Sequence, residues 1–288
     1  MESVVVRPPV SVSSGRASRW VLFRAVLLIV LLILCAACRR EAPAPQPAPA
    51  ATPPAPAAVS ATELKDVVET TSNYVIGISY PPAAAKYPGL AAELRRYADD
   101  ARAELVQAAS ERRPDAPAPY DLSLSFSMVM DSPALVAVAA DGSSYTGGAH
   151  GAPLLERFVW LPQENRRLLA SDLVPGKQGW NAISGYVREQ LHTALSQRID
   201  ADDLDAAERA EVIKSAGQMI DEGTEADAAH FAQFEPVVGV GGKLSALRFV
   251  FAPYQVGPYS DGTQTVDVPA SVLLPFLAPE YRGLFAGG

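Results

Sequence analysis

Apolar residues change their period along this chain, and each change marks an element. Asn73 to Tyr80 (NYVIGISY) is a short apolar run ended by Pro81-Pro82, which predicts a strand. From Gly89 the period lengthens. Leu90, Leu94, Tyr97, Ala98, Ala101, Leu105 and Ala108 recur at helical spacing, with Arg95, Asp99, Arg102 and Glu111 on other faces, so a helix should run to about Ser110 and stop before Pro114. Strict alternation then takes over. Tyr120, Leu122, Leu124, Phe126, Met128 and Met130 share one face of a strand, and Asp121, Ser123, Ser125 and Ser127 share the other. Leu135 to Ala140 and Leu154 to Leu161 read as its neighbours, linked through a turn at Asp141-Gly142 and the Tyr145–Gly151 loop. The expected arrangement is an antiparallel meander.

The middle is helical. Trp180, Ile183, Val187, Leu191, Ala194 and Leu195 form one stripe, and a second helix spans Leu204 to about Glu222. Asp202, Asp203 and Asp205 suit the positive end of that helix. With Asp200 and Glu208 they form an acidic cluster, but it lacks the glycine of an EF-hand loop and reads as a capped, solvated helix start. Strand character returns at Phe234 to Val240 and Leu244 to Ala252, with a turn at Gly241-Gly242, and again at Thr263 to Val268. Pro269-Ala270-Ser271 opens a last helix through Leu277. The fold class is α+β: antiparallel sheets with packed helices.

The first sixty residues follow other rules. Arg16, Arg19 and Arg24 precede an apolar run, Ala25 to Ala37, that stops at Cys38 before Arg39-Arg40. A basic stretch, a short apolar core and small residues before a cut are the layout of a secretory signal. Thirteen residues fall short of the roughly 20 that a membrane-spanning helix needs. Ala36-Ala37-Cys38 resembles the lipobox of bacterial lipoproteins, whose cysteine becomes the lipid-bearing N-terminus; Cys35 stands where that pattern usually has Leu. The other reading, an uncleaved anchor from Trp20, puts Arg24 near its edge. Both place the remainder outside the cytoplasmic membrane. Residues 38–62 are rich in Ala and Pro, cannot bury a core, and read as a disordered tether. The expected organisation is a lipoprotein signal peptide over 1–37, the tether over 38–62, an N-terminal α+β subdomain over 63–142 and a C-terminal α+β domain over 143–288.

Removing residues 1–37, with four Arg and one Glu, takes the formal charge from −8 to −11. So acidic a globule argues against nucleic acid or an anionic lipid surface as bulk-electrostatic partners. Both cysteines lie in the export signal, so no disulfide or thiol chemistry is expected in the mature domain.

Candidate chemistry is sparse. The three histidines have no zinc-site spacing, and there is neither a P-loop nor a G-x-S-x-G elbow. No metal and no cofactor are expected. His192 reads as a boundary residue of its helix and His230 as a loop residue. His150 differs, because it sits in Tyr145-Thr146-Gly147-Gly148-Ala149-His150-Gly151, where three glycines imply tight turns. The second distinctive stretch, Phe251 to Gly262, has Pro-Tyr twice and an Asp261-Gly262 turn. Two tyrosines on a Pro- and Gly-shaped loop make a recognition surface at low entropic cost, or else pack the turn against the sheet.

YTGGAHG (145–151) and FAPYQVGPYSDGTQTVDVP (251–269) resemble hallmark segments of the extracellular domain of RsiV-type anti-sigma factors. Residues 63–140 are similar to the domain preceding it there and in PdaC-type peptidoglycan deacetylases. The resemblance implies an α+β binding module displayed outside the membrane, without a cofactor, of a kind that senses lysozyme by direct binding. Neither the cytoplasmic sigma-binding segment nor the metal-dependent deacetylase domain of those families has a counterpart in this chain.

The combined expectation is a cell-envelope lipoprotein, lipidated on Cys38 and facing the periplasm, with Arg39 favouring the outer over the inner membrane. It would bind a lysozyme-like wall hydrolase or a peptidoglycan fragment through Tyr145, His150, Tyr254, Tyr259 and Asp261. The alternatives are a peptidoglycan-acting enzyme with His150 as base and Asp261 as its orienting partner, and a passive envelope structural protein.

Overall fold

The structure is a computed structural model that describes residues 63–113, 119–201 and 204–288. The signal, the tether, the lipidation site Cys38, and Asp202 and Asp203 lie outside the described residues.

Among the described residues the strands form two sheets. The larger has six strands in sequence order: β1 (Val67–Thr70), β2 (Tyr74–Ser79), β3 (Tyr120–Asp131), β4 (Val136–Tyr145), β5 (Ala152–Leu161) and β6 (Arg166–Arg167). Helix α1 (Pro88–Ser110) connects β2 to β3, which pair in parallel; the other neighbours are antiparallel. The smaller sheet is an antiparallel meander of β7 (Phe234–Val238), β8 (Leu244–Phe251) and β9 (Gln264–Pro269). Between the sheets in sequence lie the short α2 (Ala170–Leu173), the long α3 (Lys177–Ala201) and α4 (Ala206–Gly223); α5 (Ala270–Leu273) and α6 (Pro279–Arg282) close the chain.

The α+β class follows from how the large sheet is covered. Ile76, Leu122, Leu124, Phe126, Val138 and Phe158 pack with Leu90, Leu94 and Leu105 of α1 in one core. On the opposite face, Ala137, Val159 and Leu161 join a second core with Trp180, Ile183, Leu191, Phe231, Phe249 and Phe251. Strands β4 and β5 are therefore buried on both faces where they pair, which explains the unbroken apolar runs Val136–Ala140 and Phe158–Leu161. The division expected at residues 142–143 falls inside β4, which pairs with both neighbours across that point. The two cores are separated by the thickness of the sheet rather than by a break in the chain.

Several expectations are revised by packing. Asp141-Gly142 is not a turn. A Cβ on Gly142 would stand 2.1 Å from the Ser123 carbonyl oxygen, so the glycine permits close approach of β3 and β4. A register shift between Met128 and Met130 sends Met130 to the second core, away from the face it was expected to share with Phe126. The helix expected to run through Leu277 ends at Leu273, because Pro275 lacks the N–H to continue it. At the acidic cluster the expected cap is present. Asp205 accepts from the backbone N–H of Ala207 and Glu208 at 2.8 and 2.9 Å, while Glu208 reaches back to the Asp205 N–H.

Candidate functional site

The two glycine- and proline-shaped loops, about a hundred residues apart in sequence, meet. The first is the hairpin between β4 and β5. Gly147 and Gly148 have φ near +100°, a conformation that side chains disfavour, and the Tyr145 hydroxyl donates to the Gly148 carbonyl at 3.2 Å. This turn presents His150. Its Nδ1 lies 3.2 Å from the Gly151 carbonyl, which can only accept, so in the neutral ring Nδ1 donates there and Nε2 is the acceptor. The Tyr254 hydroxyl lies 2.9 Å from Nε2 and donates to it.

The second loop joins β8 to β9. Tyr254 adopts a left-handed backbone (φ 73°), one of two non-glycine residues among those described to do so. Its N–H donates to the Gly257 carbonyl at 3.0 Å. The loop is held from below by the Gln255 amide, which donates to the carbonyls of Gly223 (3.2 Å) and His230 (2.9 Å), and by buried Val256. A Cβ on Gly223 would lie 1.9 Å from the Gln255 carbonyl oxygen, so α4 and the loop touch backbone to backbone. Tyr259 stacks on His150 with centroids 3.8 Å apart and lies 5.7 Å from the Tyr254 ring. Tyr254 remains 54% exposed, which leaves much of its ring available for contact.

Of the five expected site residues, His150, Tyr254 and Tyr259 form one cluster. Tyr145 braces the hairpin beneath them. Asp261 turns elsewhere: its carboxylate, 13% exposed, pairs with Arg198 of α3 at 2.8 Å and lines a small cavity of about 70 Å³ with Leu191, Leu195, Ile220 and Val256. The His150 nitrogens contact Tyr254 and Gly151, so the His150–Asp261 pairing of the acid–base reading is not among the hydrogen bonds of the described residues. His192 contacts Asp221 at 3.1 Å on the helix surface, and His230 lies in the 3₁₀ turn Ala228–Phe231. Among the described residues no group of three or more His, Cys, Asp or Glu side chains could hold a metal, and no helix is long and apolar enough to cross a membrane.

A charged network beneath the cluster escaped the sequence reading. Arg157 of β5 is only 7% exposed, yet it pairs with Asp141 of β4 at 2.8 Å and Glu235 of β7 at 2.5 Å. It also donates to the Ala140 and Glu156 carbonyls, each at 3.1 Å. Gln233 bridges the Arg157 N–H and the Glu156 carboxylate, which also pairs with Arg167. These bonds fix the hairpin carrying His150 to the sheet carrying Tyr254. The available signal was Glu156-Arg157 inside the otherwise apolar run Leu154 to Leu161, because charges in a buried strand require partners.

No curated protein matches the chain. Two solved structures are similar: a DUF3298 family member from Bacteroides fragilis, 17% identical with a TM-score of 0.48 over 76% of this chain and 94% of that one, and a DUF3298 family protein from Pseudomonas aeruginosa PAO1, 17% identical with a TM-score of 0.48 over 78% and 96%. Residues 171–271, which include Tyr254, Tyr259 and Asp261 but not Tyr145 or His150, match a family described as "Protein of unknown function (DUF3298)".

Proposed function

We propose that the protein is a cell-envelope lipoprotein, anchored through lipid on Cys38 and facing the periplasm, whose folded region binds a lysozyme-like wall hydrolase or a peptidoglycan fragment. The observation that carries this reading is the convergence of His150, Tyr254 and Tyr259 on one exposed surface. Aromatic side chains with polar tips, held rigidly, contribute large contact area at low entropic cost. The formal charge of −11 after loss of residues 1–37 complements a basic partner and speeds its encounter. In the rival acid–base reading His150 would need an orienting carboxylate within about 3 Å. Arg198 occupies Asp261, and Tyr254 occupies the acceptor nitrogen of His150.

Calorimetric titration of the folded region with lysozyme and with muropeptides tests the proposal. Saturable binding of one of them, weakened by Tyr254→Ala, is expected. Absence of heat for both overturns it. Mass spectrometry of the mature N-terminus tests the anchor separately, through a diacylglyceryl mass on Cys38.

A further inference from the structure

A polar cleft lies away from the loop cluster; none of its lining residues belongs to 145–151 or 251–262. It has a volume of about 550 Å³, is open to solvent and is lined mostly by polar side chains. One wall is a single face of α3. Lys177, Asn181, Ser184 and Arg188 recur there at intervals of three or four residues. The other wall is the turn after α4, with Glu225 and Asp227. Two cations face two carboxylates, so a simple anion or a simple cation meets a like charge on one side.

Part of the cleft is built rigidly. The Ser184 hydroxyl donates to the Thr224 carbonyl at 2.5 Å. Arg188 donates to the Asp221 carbonyl at 3.0 Å and lies 3.1 Å from its carboxylate. Asp227 caps the 3₁₀ turn through Ala229 at 2.8 Å. The remaining polar side chains of the cleft are unused. Lys177, Asn181 and Glu225 make no side-chain hydrogen bond or ion pair with another described residue.

The spacing of these unused groups gives a length. Glu225 adjoins Thr224, which is fastened to Ser184. Lys177 lies seven residues, about 10 Å, back along the helix axis. Three extended residues cover about the same distance. We infer that this cleft binds a short zwitterionic peptide, with the terminal carboxylate on Lys177, the terminal ammonium on Glu225 and a backbone amide on Asn181. The small side chains of Ser184 and Ala226 leave room for the backbone.

Trialanine is the probe, with its N-acetyl and C-amide derivatives as controls, read by amide chemical shifts of the folded region. Saturable shifts confined to 177–188 and 224–227 are expected, with roughly fivefold weaker binding when either end is blocked, as suits exposed charge pairs. Lys177→Ala weakens trialanine but not its C-amide, and Glu225→Gln weakens trialanine but not its N-acetyl form. Both substitutions leave lysozyme retention unchanged, which separates this site from the loop surface. No saturable shift up to about 20 mM, a range that would still register very weak binding, overturns the inference. So does equal binding of the blocked peptides, or indifference to both substitutions.

Discussion

Arg157 should be the most costly surface-distant charge to remove. Arg157→Met keeps much of the side-chain volume but takes away the counterion of Glu235, which is 15% exposed, and of Asp141, 53% exposed. It also removes the donors to the Ala140 and Glu156 carbonyls. Breaking a buried ion pair from one side typically costs about 3–5 kcal/mol, because the abandoned charge has lost its water as well as its partner. Asp141 can rehydrate, so the lower end applies: about 3 kcal/mol, out of a typical total of about 5–15 kcal/mol. Urea unfolding followed by the fluorescence of Trp160 and Trp180, both buried, would move its midpoint down by about 1 M for a slope near 3 kcal/mol/M. Arg157→Met combined with Glu235→Leu should recover most of the loss, since an apolar pair can replace a buried ion pair. A loss below about 1 kcal/mol, or a double variant no better than the single one, would refute the claim that the network carries the join between hairpin and small sheet.

Gly142→Ala forces a Cβ to within 2.1 Å of the Ser123 carbonyl oxygen and should separate β3 from β4; a thermal midpoint lowered by well over 5 °C is expected, and an unchanged one would contradict the close approach. Burial pushes the Tyr80 and Tyr97 hydroxyls up to about 12, so in a spectrophotometric titration these two should ionise after exposed tyrosines. The unfolded chain releases these protons near 10 and the folded one does not, so their contribution to stability is intact below pH 10 and declines from there towards pH 12. Tyr80→Phe and Tyr97→Phe should flatten that decline.

Much of the fold was legible because packing obeyed local period. The alternation of Leu122, Leu124 and Phe126 and the helical stripe of Trp180, Ile183, Val187 and Leu191 each named a face that the structure buries. What escaped was set by distant partners. Strand β1 has four residues, too few for a period to speak, and the parallel pairing of β2 with β3 depends on where α1 returns the chain. Gly142 carries a turn signal, yet the approach of Ser123 decides its use. At the site, glycine spacing and the paired Pro-Tyr steps marked both loops, but nothing local said that they touch. Asp261 looked like a partner for His150 and instead answers Arg198, a residue whose helical position alone gave no hint of it.

The proposed binding role requires the His150–Tyr254–Tyr259 surface to be the contact surface. Retention on immobilised lysozyme or wall fragments, compared for the parent, His150→Ala, Tyr254→Ala and the double variant, addresses this directly. The prediction is a loss of roughly tenfold or more for each single change, and a double variant scarcely worse than Tyr254→Ala, because the two side chains act through one another. Undiminished retention by Tyr254→Ala in a folded protein would contradict it.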